Sequence, residues 1–221
     1  MAVIHRTTLT PTKLELLTTW LPSRPWYAAG TGEPELAKAG GFRLDDPEGE
    51  VGIEFMVVTD TSGVAPTTYL VPLTYRGAPL DGAEHALVGT MEHGVLGRRW
   101  AYDGCHDPVL VAQLLALIEG RVRAQDQNTS DAPDREVTRS YLGDGLDATD
   151  FTAPAIDRHE STELSASRGT VLRLHRNLRP GPDGAPVLPA EATGHVAGSW
   201  SGPDGARARG LFVVLHSHPR G

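Results

Sequence analysis

A single cysteine in 221 residues excludes two classes of protein at once. Cys105 alone can build neither a disulfide framework nor a multi-thiolate metal site, and it suits a reducing compartment. Aromatic residues are scarce at 6%, so the core must be mainly aliphatic, within a hydrophobic complement of 39% that suffices for a chain of this length. Long apolar runs are missing too. The longest, Val109 to Ile118, is interrupted by Gln113 and is too short to span a bilayer. The opening residues MAVIHRTTLTP have no apolar signal core. Lysine is nearly absent, with only Lys13 and Lys38 among 20 basic residues. Acidic residues number 28, which leaves a net charge of -8 and a surface that repels phosphate backbones. There is no Walker A loop and no GxGxxG. The expectation is a soluble, cytoplasmic protein with neither nucleic acid nor membrane as partner. What is plentiful is glycine, at 25, and proline, at 17, which predicts many turns.

The periodicity gives two helices among strands. Thr10 as N-cap and Pro11 at the first position open a helix with Leu14, Leu17 and Leu21 on one face, widened by Leu16 and Trp20 and stopped by Pro22. Glu35 to Ala39 reads as a helical turn before Gly40-Gly41. Strands follow at Val51–Val58 and Thr67–Tyr75, the second with Pro72 at an edge or bulge, then at Ala86–Gly89 and Arg98–Tyr102. Pro108–Glu119 is the best-marked helix, capped by Asp107, stopped by Gly120 and apolar on most faces. Beyond it, Arg121, Arg123, Asp126, Asp131, Asp134, Arg135, Glu136 and Arg139 mark residues 121–150 as a charged linker, with one strand around Val137–Leu142. Thr170–Leu178 and Gly210–His216 are strands, separated in part by a Pro/Gly-rich loop at Arg179–Pro186. The fold class is α+β: an antiparallel sheet with helices over 1–120, the linker, then a smaller β-rich piece over 151–221.

No catalytic set assembles from these residues. Asp103, Cys105, His106 and Asp107 are the densest group of potential ligands, yet Asp107 is better used as a cap, and Cys105 would need a base facing it to act as a nucleophile. His216 and His218 would share a strand face but lie almost at the terminus. Gly198-Ser199-Trp200-Ser201-Gly202 has Trp where a nucleophile elbow needs Ser. Asp45, Asp46, Glu48 and Glu50 read as a solvated loop. Trp20, Trp26, Trp100 and Trp200 are either core or a sugar-stacking platform. No metal site and no cofactor follow from the residues.

Three separated segments in the first half nevertheless resemble a known family. Trp20-Leu21-Pro22-Ser23-Arg24-Pro25-Trp26-Tyr27-Ala28 is similar to the opening signature W-L-P-x-x-R-W of actinobacterial maltokinases, with Pro25 at the family's Arg and Arg24 one position early. Tyr69 to Arg76 resembles the following strand, and Leu96 to Pro108 the end of the family's N-terminal cap domain. The resemblance implies a small α+β cap of cystatin-like topology, which in maltokinases precedes a kinase N-lobe-like subdomain and a catalytic C-lobe. In the second half, Glu160-Ser161-Thr162 resembles the family's loop over nucleotide phosphates without its Asn. Thr170–Leu178 resembles the strand carrying the phosphate-binding lysine, with Arg173 at that position. Ser161, Thr162 and Arg173 are therefore the nucleotide-site positions the resemblance points to. The family's helix carrying the acidic partner would fall in the Pro/Gly-rich stretch from Gly181 to Ala192, where Glu191 is the acid present. The C-lobe's catalytic and metal-binding aspartates have no counterpart in these residues. The resemblance thus implies a non-catalytic accessory or interaction protein, with a protein partner in trehalose, maltose or α-glucan metabolism. The alternatives are a sugar- or glucan-binding module, or part of a sugar kinase completed by a partner chain.

Overall fold

The computed structural model describes residues 8–28, 30, 32–129, 132–167, 169–182 and 185–217. Asp131 and His218, both singled out above, lie outside the described residues. The rest is mostly antiparallel sheet with two short α-helices, an α+β fold. In chain order the strands are β1 (Leu9–Thr10), β2 (Leu36–Leu44), β3 (Gly52–Asp60), β4 (Thr67–Arg76), β5 (Leu87–His93), β6 (Gly97–Asp103), β7 (Gln125–Asp126), β8 (Thr138–Tyr141), β9 (Ile156–Asp157), β10 (Ser161–Ser165), β11 (Thr170–His175), β12 (Ala192–Ser201) and β13 (Arg207–Ser217). Helix α1 spans Lys13–Trp20 and α2 spans Pro108–Glu119. Among the described residues the strands run β1-β5-β6-β4-β3-β2-β12-β13-β11-β10-β9, with β7 added to β2 and β8 to β12. No helix among them is long and apolar enough to cross a membrane.

Helix α2 forms as its sequence dictates. Asp107 accepts from the Val109 N–H at 3.0 Å, Pro108 occupies the first position, and Gly120 at φ 80° closes the helix. Helix α1 starts later than expected. Its cap is Thr12, not Thr10: Thr12 Oγ1 accepts from the Glu15 N–H at 3.2 Å, and Glu15 accepts from the Thr12 N–H at 2.7 Å. Thr10 instead pairs with Glu92 across β1 and β5.

Glu35 to Ala39 is not a helical turn. Leu36 begins β2, paired residue by residue with β3 from Leu36↔Asp60 to Leu44↔Ile53. Gly40 and Gly41 do not break the chain there. The register shifts between Lys38 and Gly40, and Gly41 sits at φ 131°, where an added Cβ would lie 2.2 Å from the Phe55 carbonyl oxygen. Only glycine passes. Pro72 lies inside the sheet rather than at its edge. Leu70 donates its N–H to the Arg176 carbonyl on the side away from β3, and β6 pairing begins at Leu73. The Pro72 nitrogen, two residues beyond Leu70, points into the gap between these two partners, where no donor is needed.

The alternation of β3 separates two cores. Met56 and Val58 pack with Leu17, Trp20, Leu21, Trp26, Tyr69 and Val71 under α1. Ile53, Phe55 and Val57 face α2 and the second half, where Leu115 and Ile118 meet Leu172, Val196, Phe212 and Leu215. The stretch 121–150 is structured in part: β7 and β8 join the sheet, and Val122, Val137, Tyr141, Leu146 and Ala148 pack against this second core.

Candidate functional site

The titratable groups of the two halves converge on Arg176, which follows β11. Its N–H donates to the Glu160 carbonyl at 2.8 Å, its own carbonyl accepts from Leu70, and Asn177 bridges to Tyr69. The segment after β11 thus continues the sheet beside β4, where β6 does not reach. This places the side chain in the protein interior at 0% exposure. A buried guanidinium is costly unless its donors find acceptors, and here Nε and Nη2 do while Nη1 does not. Nη2 donates to Asp103 Oδ2 at 2.6 Å and lies 3.4 Å from Cys105 Sγ, and Nε donates to Thr162 Oγ1 at 2.7 Å. Thr162 donates its own O–H to Asp157 Oδ1 at 2.6 Å. The face of the guanidinium stacks 4.7 Å from the Trp26 ring centre. Burial opposes the charge, but the Asp103 carboxylate outweighs it and holds Arg176 protonated. Burial pushes the Cys105 thiol well up, with Arg176 opposing. A thiol held protonated and enclosed is not a nucleophile.

The neighbouring ligand-type residues are committed locally. Asp103 Oδ1 accepts from the Cys105 N–H at 3.2 Å, while Asp107, besides capping α2, takes a bidentate pair from Arg76 at 2.7 Å on both arms. His106 turns to His85: Nδ1 and Nε2 are 3.1 Å apart and the rings stand at 88°. Among the described residues no group of three or more His, Cys, Asp or Glu is arranged to hold a metal.

Ser161, Thr162 and Arg173 lie on adjacent antiparallel strands, Ser161 and Thr162 in β10 and Arg173 in β11. Thr162 belongs to the Arg176 network. Arg173 is paired to Glu163 Oε1 through Nη2 at 2.9 Å and Nε at 3.1 Å, and Arg158 takes the other oxygen at 3.0 Å. Burial raises the Glu163 pKa, but the hydrogen bonds from Arg158 and Arg173 bring it below the ordinary value.

Of the four tryptophans, Trp20, Trp26 and Trp200 are buried, and Trp20 meets Trp26 edge-on at 5.7 Å. Trp100 is half-buried, with the Arg98 guanidinium 5.5 Å from its ring centre. The acidic loop is ordered by Asp46, which accepts from the N–H groups of Glu48, Glu50 and Val51 at 2.9–3.1 Å. It borders a cavity of about 400 Å³ that Arg76, Gly77 and Arg99 also line. His216 is buried in β13. Two further acids are buried: Glu54, which the alternation of β3 places on the face opposite Ile53 and Phe55, bound by Lys13 and by Tyr75 at 2.9 Å, and Asp60, bound by Tyr27 at 2.7 Å. Both alternate in β3 with Met56 and Val58, on the face that α1 covers.

Residues 20–107, about two fifths of the chain, match the family model of the maltokinase N-terminal cap domain. The matched stretch runs from the last residue of α1 through Asp107, and so takes in α1's Trp20, the tryptophan against Arg176, and both partners of the Asp103–Cys105 turn. No curated protein matches the chain.

Proposed function

We propose, from the maltokinase cap domain at residues 20–107, that this chain is a non-catalytic accessory or interaction protein of maltose, trehalose and α-glucan metabolism. The cap supplies the metabolic link. Cystatin-like topology for the cap, and an N-lobe-like second half over 151–221, belong to the same reading. The observation that carries the non-catalytic part is the occupancy of the nucleotide-site positions. Arg173 already holds Glu163, and Thr162 already joins Arg176 to Asp157. The acid that holds Arg173 comes from the neighbouring strand β10, whereas the lysine of a kinase is held by an acid on a helix, so the pair does not reproduce the arrangement that presents the lysine to phosphate. Calorimetric titration with Mg-ATP, with and without maltose, should therefore show no binding tighter than about millimolar, equivalent to ~4 kcal/mol. Micromolar binding that disappears in Arg173→Ala would restore a kinase reading, including one completed by a partner chain. The accessory role is tested by pull-down of the tagged protein from its native host. Capture of an enzyme acting on maltose, trehalose or an α-glucan supports it, and capture of none of these counts against it.

The sugar-binding reading now concentrates on Trp100, the tryptophan that retains exposed surface. A maltose or glucan titration followed by tryptophan fluorescence, repeated in Trp100→Phe, decides it.

A further inference from the structure

Two histidines distant in sequence meet at chelating distance. His85 lies in a 3-10 turn at Glu84–Ala86 and His106 in another at Gly104–His106. Each turn is fixed independently. The first is held by the Ala86 N–H on the Ala83 carbonyl and by the Leu80 N–H on the Tyr102 hydroxyl, both at 2.9 Å. The second is held by Asp103 at its start and by the Asp107 N–H on the Gly104 carbonyl at 3.0 Å. His85 is exposed and His106 half-buried, so an ion can reach them from solvent.

His85 Nε2 and His106 Nδ1 are 3.1 Å apart. With metal–nitrogen bonds of about 2.0–2.1 Å, that separation subtends roughly 95–100° at a shared ion. This is close to a cis angle of a tetragonal site, the arrangement preferred by Cu²⁺ and Ni²⁺ with nitrogen ligands. The ring centres are only 4.7 Å apart. In a straight N–H···N bond the two rings extend end to end and their centres stand further out. Here the ring axes are inclined to the line joining the nitrogens, as two lone pairs directed at one ion require. We propose that His85 and His106 are a two-imidazole site for a divalent first-row transition ion, with Cu²⁺ the tightest.

Binding needs no net loss of a proton from the neutral pair. The hydrogen between the two nitrogens leaves that nitrogen, and the far nitrogen of the same ring takes one up, so both facing nitrogens offer lone pairs. The other ligand-type side chains around His106 are already engaged, Asp103 by Arg176 and the Cys105 N–H, Asp157 by the Thr162 hydroxyl, and the Cys105 thiol by the guanidinium. Water therefore completes the coordination, and the ion remains open to an external ligand.

The test uses the full chain freed of metal by a chelator. Titration with CuCl₂, NiCl₂ and ZnCl₂ should give one ion per chain with Cu²⁺ tightest, and the Cu²⁺ paramagnetic resonance spectrum should show coupling to two nitrogens. His85→Gln and His106→Gln should each weaken Cu²⁺ binding at least tenfold and remove one nitrogen coupling. His195→Gln, on β12 away from the pair, should leave binding within twofold. Unchanged affinity and couplings in His85→Gln overturn the proposal. His85 is exposed in a turn, so that variant decides the matter even if His106→Gln fails to fold.

Discussion

Arg176 and Arg173 are three residues apart and carry the same charge, yet their surroundings assign them opposite weights. Arg176 is fully enclosed with Asp103, whose side chain is also buried. Removing one member of such a pair strands the other charge in the interior, which typically costs about 3–5 kcal/mol. Arg176→Met should therefore lower the urea-unfolding free energy by about that much, or prevent folding. Arg176→Lys should recover only part of it, because an ammonium cannot reach Asp103 and Thr162 with one planar fork. Arg173 keeps 40% of its side chain exposed, so its pair with Glu163 is worth only about 0.2–1 kcal/mol, and Arg173→Ala should be nearly silent in the same assay. The sequence offered no means of ranking the two. Arg173 stands between Leu172 and Leu174 and Arg176 between His175 and Asn177, a pattern that points the more apolar surroundings to the wrong one, and the acids that distinguish them come from β6 and β10, 73 and 10 residues away. The nearby Asp107 was legible, because an N-cap is a local property: the acid, the proline after it and the helix are contiguous. Cys105, by contrast, is inert for a reason outside its own segment, the burial and the guanidinium that arrive with the second half.

At the scale of elements, local signals succeeded where one segment contains its own reason for folding, and failed where a partner strand supplies it. Helix α2 carries cap, first-turn proline, apolar faces and glycine stop together, and forms between the expected limits. Helix α1 offers two threonines near its start, and spacing alone favoured the one before proline. Thr12 wins because Glu15, three residues on, completes a reciprocal box. Thr12→Ala should destabilise the protein by about 1 kcal/mol, whereas Thr10→Ala should have less effect in the same thermal melts, since Thr10 caps nothing. Strand β2 failed the local reading because Leu36-Ala37-Lys38-Ala39 has helical composition and Gly40-Gly41 reads as its stop. It is extended because β3 pairs with it along its whole length, and pairing outweighs a weak propensity. The glycines that looked like a break are what permit that pairing. Gly41→Ala would place a methyl against the Phe55 carbonyl at a backbone angle that L-residues avoid. It should cost more than Thr12→Ala, with loss of soluble protein or a large fall in melting temperature as the readout.

Over the whole molecule, the second core contains Phe42, Phe55 and Leu70 from the first half and Leu172, Val196 and Phe212 from the second, with Phe42 stacked 4.5 Å from Phe55 and 6.1 Å from Phe212. Unfolding followed by tryptophan fluorescence and by far-ultraviolet circular dichroism should therefore coincide, and separate transitions would favour an independent unit over 1–120. The same shared interior sets the pH response. His175 and His195 have lowered pKa values because burial disfavours their charged forms, with Arg173 adding to this at His175 against an opposing Glu160, and Arg209 adding to it at His195. Below about 6.5, the ordinary histidine value, the unfolded chain then binds protons that the folded chain does not, so stability falls as pH drops through that region. A second loss follows lower down. Glu54, Asp60 and Glu163 lie below their ordinary values; burial works against this in each, and it is outweighed at Glu54 by Lys13, at Asp60 by hydrogen bonds from Ser62 and Tyr27, and at Glu163 by Arg158 and Arg173. Their contribution is complete above the carboxylate range and is lost as pH falls through about 4 and below. Asp134, raised by burial, works in the opposite sense and blunts this second step. The melting temperature should thus decline from pH 7.5 to 5.5 and decline further below about 4.5, with His175→Gln reducing the first decline, which His106 and His195 share, while leaving the second in place. A melting temperature that rises on going from pH 7.5 to 5.5 would contradict the burial of these histidines in their neutral form.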